Sequence, residues 1–249
     1  MTAAFQRLFI ITIIERKQSM DGKENRYLLL QVNDALFPIG GYSHSYGLET
    51  YIQKDIIRKE ADAREYIEKK IRYSLASAEL LAARLCYEAA QKEEIEKLLE
   101  LEKTYFVSLA PREIREAARK LGSRFVKTVS RLKVCYRNTA FEQYKNVQTG
   151  IPAHACAYGC FCAAAGIPER EMLEHYLYSQ TSAMVTNCVK SIPLSQTAGQ
   201  QILTDTFEIF DKVLDQVMGW GEEMLCAAAP GFDIRCMEHE RLYSRIYMS

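Results

Sequence analysis

The sequence predicts an all-α protein, a single globular bundle of about ten helices with no sheet. Three observations carry that expectation. Apolar residues recur at three- and four-residue steps through most of the chain. No run after residue 26 alternates with period two. Proline and most glycines fall at the joints between periodic segments.

Residues 1–25 stand apart. Leu8-Phe-Ile-Ile-Thr-Ile-Ile14 is apolar but too short to span a bilayer, and Glu15 follows where a signal peptide would place a small-residue cleavage site. Asp21 to Asn25 reads as a linker, so 1–25 is expected to be a peripheral extension. From Arg26 to Phe37, Leu28, Leu29, Val32 and Leu36 predict a short helix stopped by Pro38. Ser45 to Lys54, carrying Tyr46, Leu48 and Tyr51 or Ile52, predicts a second. The longest pattern is 60–91, where Ile67, Ile71, Leu75, Ala78, Ala82, Leu85 and Ala89 predict a rod of roughly 45 Å. A break at 91–94 precedes a helix over 94–107 with Ile95, Leu98, Leu99, Glu102 and Phe106 on its repeating positions.

Pro111 and Glu113 open a helix over 112–135. Gly122 inside it costs about 1 kcal/mol relative to alanine, which implies a close helix–helix approach. Thr139 with Glu142 resembles a capping box for a helix through Val147. Residues 153–165, almost all Ala, Cys and Gly, predict a tightly packed buried helix ended by Gly166. Pro168, Glu169 and Glu171 start another that runs to about Val189. A kink at Ile192 to Ser195, a helix over 198–218, a short helix near 222–228 and a turn at Ala229-Pro-Gly231 complete the domain 26–231, leaving 232–249 as a tail.

At 249 residues the chain is expected to bury roughly 70–75% of its extended surface, enough for a core without disulfide or metal. The 32 basic and 32 acidic residues cancel, which argues against nucleic acid or an anionic membrane as partner. Eight cysteines lie mostly inside apolar helical patterns with no secretion signal, which predicts reduced thiols in a cytoplasmic protein.

The stretch Asp34 to Glu49 concentrates turn residues (Pro38, Gly40, Gly41, Gly47), hydroxyls (Tyr42, Ser43, Ser45, Tyr46) and one imidazole, His44. Pro38 and the glycines fix the loop's shape, making it a structural corner or a recognition surface. Catalysis lacks a constellation. No phosphate-binding loop, dinucleotide fingerprint or His-Glu-x-x-His is present, and His44 has no carboxylate at a motif-fixed spacing. Cys156 and Cys160 share a helix face, and Cys236 and His239 form an i,i+3 pair; neither has the paired spacing of a structural zinc site, and only Cys236 and His239 are kept as weak metal candidates. Asn187, Lys190, Gln196, Thr197 and Gln200 form a polar cluster around Pro193 that either knits loop to helix or contacts a partner. The tail carries Arg235, Arg241, Tyr243, Arg245, Ile246 and Tyr247, the residue types that anchor protein interfaces.

Phe-Pro-Ile-Gly-Gly-Tyr-Ser-His-Ser-Tyr-Gly-Leu-Glu at 37–49, Val-Lys-Ser-Ile-Pro-Leu-Ser-Gln-Thr-Ala-Gly-Gln at 189–200 and His-Glu-Arg-Leu-Tyr-Ser-Arg-Ile-Tyr at 239–247 resemble the urease accessory protein family UreF, in the form with a hydrophobic-aromatic tail found in Helicobacter-type bacteria. The resemblance runs from about residue 27 to the end. It implies an all-helical, non-enzymatic, homodimeric maturation factor that binds UreD/UreH and recruits the GTPase UreG to load nickel into apo-urease. It implies no stably bound cofactor, nickel and GTP being handled by the wider complex, with this protein coupled to its partner's GTP hydrolysis. It also implies that the tail 232–249 becomes ordered on UreD/UreH, and that Tyr42, His44 and Tyr46 lie near the dimer and UreG-facing region. Lys190, Gln196, Arg235, His239, Arg241, Tyr243, Arg245 and Tyr247 complete the expected partner-binding set. The competing readings are an all-helical small-molecule-binding enzyme using His44, Tyr46 and the polar cluster, and a direct nickel metallochaperone using Cys236 and His239.

Overall fold

A computed structural model describes residues 25–147, 150, 152–227 and 229–248. The expected extension 1–25 falls outside these except for Asn25. Among the described residues the secondary structure is helical with no strand, and no helix is long and apolar enough to cross a membrane.

The first described elements are α1 (residues 25–32) and α2 (Leu48–Gln53). A continuous rod follows: α3 (Glu60–Lys70), a π-helical stretch (Ile71–Leu80) and α4 (Leu81–Gln91). Then come α5 (Ile95–Ser108), α6 (Arg112–Val129), α7 (Ala140–Val147), α8 (His154–Ala165), α9 (Glu169–Ser191), α10 (Gln196–Gly219) and α11 (Pro230–His239). At the centre lies α8, every one of whose residues is buried, against α4, α6, α7 and α9. Its small side chains let neighbours close in. A Cβ on Gly159 would sit 2.1 Å from the Ala83 carbonyl oxygen of α4, so this crossing needs glycine. Gly122 also marks a close approach, but to the backbone entering α8: its Cβ would lie 2.1 Å from the Pro152 carbonyl oxygen.

Several elements differ from the sequence reading for identifiable reasons. The first helix stops at residue 32, not Phe37. Asn33 Nδ2 bonds the Leu29 carbonyl and the Tyr158 hydroxyl, and Asp34 accepts from the Leu36 amide, so side chains replace the helical bonds. The rod over 60–91 is present, with its middle opened to π-helix where the Ser77 carbonyl accepts from the Cys226 amide of a distant loop. In α5 the buried face is Ile95, Leu98, Leu101, Glu102 and Tyr105, not Phe106. Glu102 is buried because its carboxylate accepts from the Ala153 amide at the start of α8 and from the Tyr144 hydroxyl. Helix α6 ends at Val129, short of 135. Thr139 bonds Glu93 from another loop, through its amide and its hydroxyl, in place of the capping box with Glu142. The helix expected near 222–228 is a single 3-10 turn, Glu222–Met224. The chain does not merely turn at Ala229–Gly231: α11 starts at Pro230, so the boundary drawn at 232 falls inside a helix.

Candidate functional site

The loop 34–49 is held from both sides. Gly40 (φ +84°) and Gly47 (φ +85°) adopt left-handed backbone, which costs glycine nothing. Tyr46 shares that region at φ 52°, where a bulky residue carries about 1–3 kcal/mol of strain. Ser43 Oγ donates to the Gly40 carbonyl at 2.8 Å, Arg124 Nη1 of α6 to the Ile39 carbonyl at 3.0 Å, and Asn187 Nδ2 of α9 to the His44 carbonyl at 3.0 Å. Asn187 thus knits helix to loop, while Lys190, Gln196, Thr197 and Gln200 of the same polar cluster face solvent.

The C-terminal tail lies on the other side. Glu49 is buried (4% exposed), and its carboxylate accepts from the Ile246 amide at 2.7 Å and the Tyr247 amide at 3.2 Å. The remaining neighbour of Glu49 is His239 Nε2 at 3.1 Å, and Nδ1 of that fully buried ring faces Glu113 Oε2 of α6 at 2.7 Å. A carboxylate faces each ring nitrogen, so an N–H on either one has an acceptor. Arg245 donates to the other oxygen of Glu113 at 2.9 Å, the Met248 amide to the Ser43 carbonyl at 2.8 Å, and Thr50 Oγ1 to the Arg235 carbonyl at 2.9 Å. Residues 190 or more positions apart therefore form one surface.

Of the residues singled out in the sequence, Tyr42, Arg241, Tyr243 and Arg245 are exposed on that surface. His44, His239 and Tyr247 turn into their own chain, and Tyr46 and Arg235 are half-buried, with the Arg235 guanidinium 5.8 Å above the Tyr51 ring. Pro38 is exposed at the turn. Gly41 makes no backbone demand: its φ is ordinary for an L-residue, and nothing lies within 4 Å of the position its Cβ would take. Glu49, Glu113 and Arg124 were not singled out. Their sequence signals are those of a helix-start acid or a solvated base, because their partners are distant in the chain.

A cavity of about 310 Å³ opens beside the loop and joins Tyr46, Asn187 and Lys190, the groups an enzyme reading requires. His44 is not on its wall. The buried imidazole that is, His154, has Tyr176 at 3.5 Å and, among the described residues, no carboxylate to orient it. Among the described residues no serine, threonine or cysteine is hydrogen-bonded to His154. For metal, Cys236 and His239 are poorly disposed: both nitrogens of His239 face carboxylates, and burial pushes the Cys236 thiol up to about 11. Among the described residues no group of three or more His, Cys, Asp or Glu side chains is placed to hold a metal ion. All eight cysteines are free thiols.

Burial lowers the His154 imidazole to about 4, and burial with Lys120 and Arg124 nearby does the same for His44. An unfolded histidine titrates near 6.5. The unfolded chain therefore binds more protons below that value, and the stability from a neutral His154 is whole above pH 6.5 and lost as pH falls toward 4. Buried acids such as Glu79, raised by burial, act with the opposite sign, so the comparison must be between variants. Between pH 7.5 and 4.5 the wild type should lose about 2–3 kcal/mol more unfolding free energy than His154→Gln. Parallel denaturant curves for the two proteins across that range would refute it.

A family model for UreF matches residues 57–206, more than half of the chain, from just before α3 into α10. The match lies between the loop and the tail, so it rests on the helical body and takes in only Glu113, Arg124 and Asn187 of the surface just described. The chain belongs to the UreF family of urease accessory proteins and is a urease maturation factor, not an enzyme.

Proposed function

We propose that the protein is the scaffold that bridges UreD/UreH and the GTPase UreG during GTP-dependent insertion of nickel into apo-urease, acting as a cytoplasmic homodimer. The observation that carries this reading is the convergence of the loop 34–49 and the tail on Glu49, which presents Tyr42, Arg241, Tyr243, Arg245 and Ile246 together. Aromatic and arginine side chains of this kind anchor interfaces once desolvated. Nickel and GTP are cargo and fuel of the assembly and need no resident site here. In support of self-association, Leu30 (48% exposed), Tyr178 (48%) and Phe207 (46%) leave large apolar groups in solvent, and the rings of Tyr178 and Phe207 lie 6.2 Å apart.

The test is activation of apo-urease by nickel, bicarbonate and GTP with and without the protein, together with co-purification of UreD/UreH. Since Cys236 and His239 are core residues, the informative truncation begins after Glu240. Removing 241–249 should abolish UreD/UreH capture while leaving the helical circular dichroism unchanged. Undiminished capture by the folded truncation would remove the tail from the interface.

A further inference from the structure

The zero net charge conceals a segregated positive face. Between residues 117 and 141 there are seven basic residues and no acidic one. Lys120, Arg124, Lys127 and Arg131 follow at steps of four, three and four, which puts them in one row along α6 and the turn after it, about 16 Å long. The opposite face of α6, with Ile114, Ala117, Ala118, Leu121, Phe125 and Val129, is the one that packs into the core. Arg124, Lys127 and Arg131 are exposed and Lys120 is half-buried. Among the described residues none of the four has a carboxylate within ion-pair distance. The carboxylates of α6 itself, Glu113 and Glu116, lie near its start and are engaged, by His239 with Arg245 and by Arg112.

A few cations near a helix C-terminus offset its dipole, but only within the last turn. This row spans three turns. It also abuts the glycine loop, where Arg124 holds the Ile39 carbonyl and exposed Tyr42 (67%) stands close by in the chain.

We propose that this row of α6 is the docking surface for an acidic protein face, a partner presenting clustered carboxylates. The chemistry favours a protein over a nucleic acid. Four cations in a single row would neutralise only about four phosphates, a small counterion-release term for a duplex. The rest of the molecule, 28 basic residues against 32 acidic, is net negative and adds no long-range attraction for a polyanion. Guanidinium and ammonium groups set against carboxylates on a partner would steer encounter and fix orientation, with an affinity that falls as salt rises. The inference shares with the scaffold reading only the premise that a partner exists, and names the face and the chemistry that covers it.

The test uses the full chain and a fluorescein-labelled peptide of about ten glutamates, titrated at about 50 and about 200 mM salt. The wild type should bind, more weakly at the higher salt. The triple variant Lys120→Gln, Lys127→Gln, Arg131→Gln should bind about tenfold more weakly. Arg124 is kept because it also anchors the loop. The charge-conserving triple Lys120→Arg, Lys127→Arg, Arg131→Lys should retain binding, which separates charge from fold. Absence of wild-type binding, or equal binding by the neutralised triple, overturns the proposal. So does tighter wild-type binding to a single-stranded oligonucleotide of equal charge or to anionic phosphatidylserine vesicles. Because the readout is peptide binding by the isolated chain, a failure of apo-urease activation bears on the scaffold reading alone.

Discussion

Replacing Glu49 with alanine should release the C-terminal tail. Its carboxylate is the shared acceptor for the Ile246 and Tyr247 amides and one of two carboxylates facing the buried His239. Each buried group left without its hydrogen-bond partner costs about 1–3 kcal/mol, and Glu49 serves the His239 ring and two amides. The tail avoids that cost by detaching, since beyond Glu49 residues 241–248 are held by the Arg241–Glu238, Leu242–His239, Met248–Ser43, Gln53–Ser244 and Arg245–Glu113 hydrogen bonds and the burial of Tyr247. Trypsin should then cut after Arg241 and Arg245 at least about a hundredfold faster than in wild type, in keeping with local opening costing a few kcal/mol less. Gly47→Ala should do much the same, because φ +85° excludes a side chain and the new Cβ would meet Cys236 Sγ at 2.7 Å and the Cys236 backbone at 3.2 Å. Gly41→Ala, with open space at its Cβ, should be silent. Equal tryptic rates for Glu49→Ala and wild type would show that the tail is held elsewhere.

Gly159→Ala should be among the most destabilising small changes in the helical body. The added methyl would lie 2.1 Å from the Ala83 carbonyl oxygen and 3.2 Å from its Cα, and backbone cannot rotate aside as a flexible side chain can. The α4–α8 crossing must widen, and α8 has no solvent face toward which to move. Overpacking of this kind costs about 3 kcal/mol or more, a large part of a typical stability of about 5–15 kcal/mol. For a chain of this size the melting temperature should fall by roughly 10 °C. A melting temperature within about 2 °C of wild type would mean that the crossing relaxes freely. The contrast with Gly41→Ala, the same chemical change at an unhindered site, isolates packing from glycine entropy.

Much of the fold was legible because helix periodicity is local. The rod at 60–91, the all-buried α8, the Gly166 stop and the Pro168 start depend on residues a few positions apart. The errors came where a distant group intervened. Asn33 ends α1 partly through Tyr158, Glu93 bonds Thr139 from another loop, and Cys226 opens the rod at Ser77. Glu102 could be placed on the repeating face of α5, but nothing nearby in sequence said that an acid there would be buried beneath the start of α8.

The candidate surface divides the same way. Turn chemistry marked 34–49 as a shaped loop, and side-chain types marked the tail as interface-like. Their meeting was not legible, nor was the burial of His44, His239 and Tyr247. The sequence by itself determined an all-helical body, most of its helix boundaries other than the ends of α1 and α6 and the start of α11, its close-packed centre and its family resemblance, since these follow from spacing and composition along the chain. Only the tertiary structure decided that Glu49 is the hub joining loop to tail, that Gly40 and Gly47 rather than Gly41 carry the backbone demand, and that neutral overall charge hides a basic row on α6. Burial, hydrogen-bond partnership and local field depend on what folding brings within a few ångströms, and Glu49 and Tyr247 lie 198 residues apart.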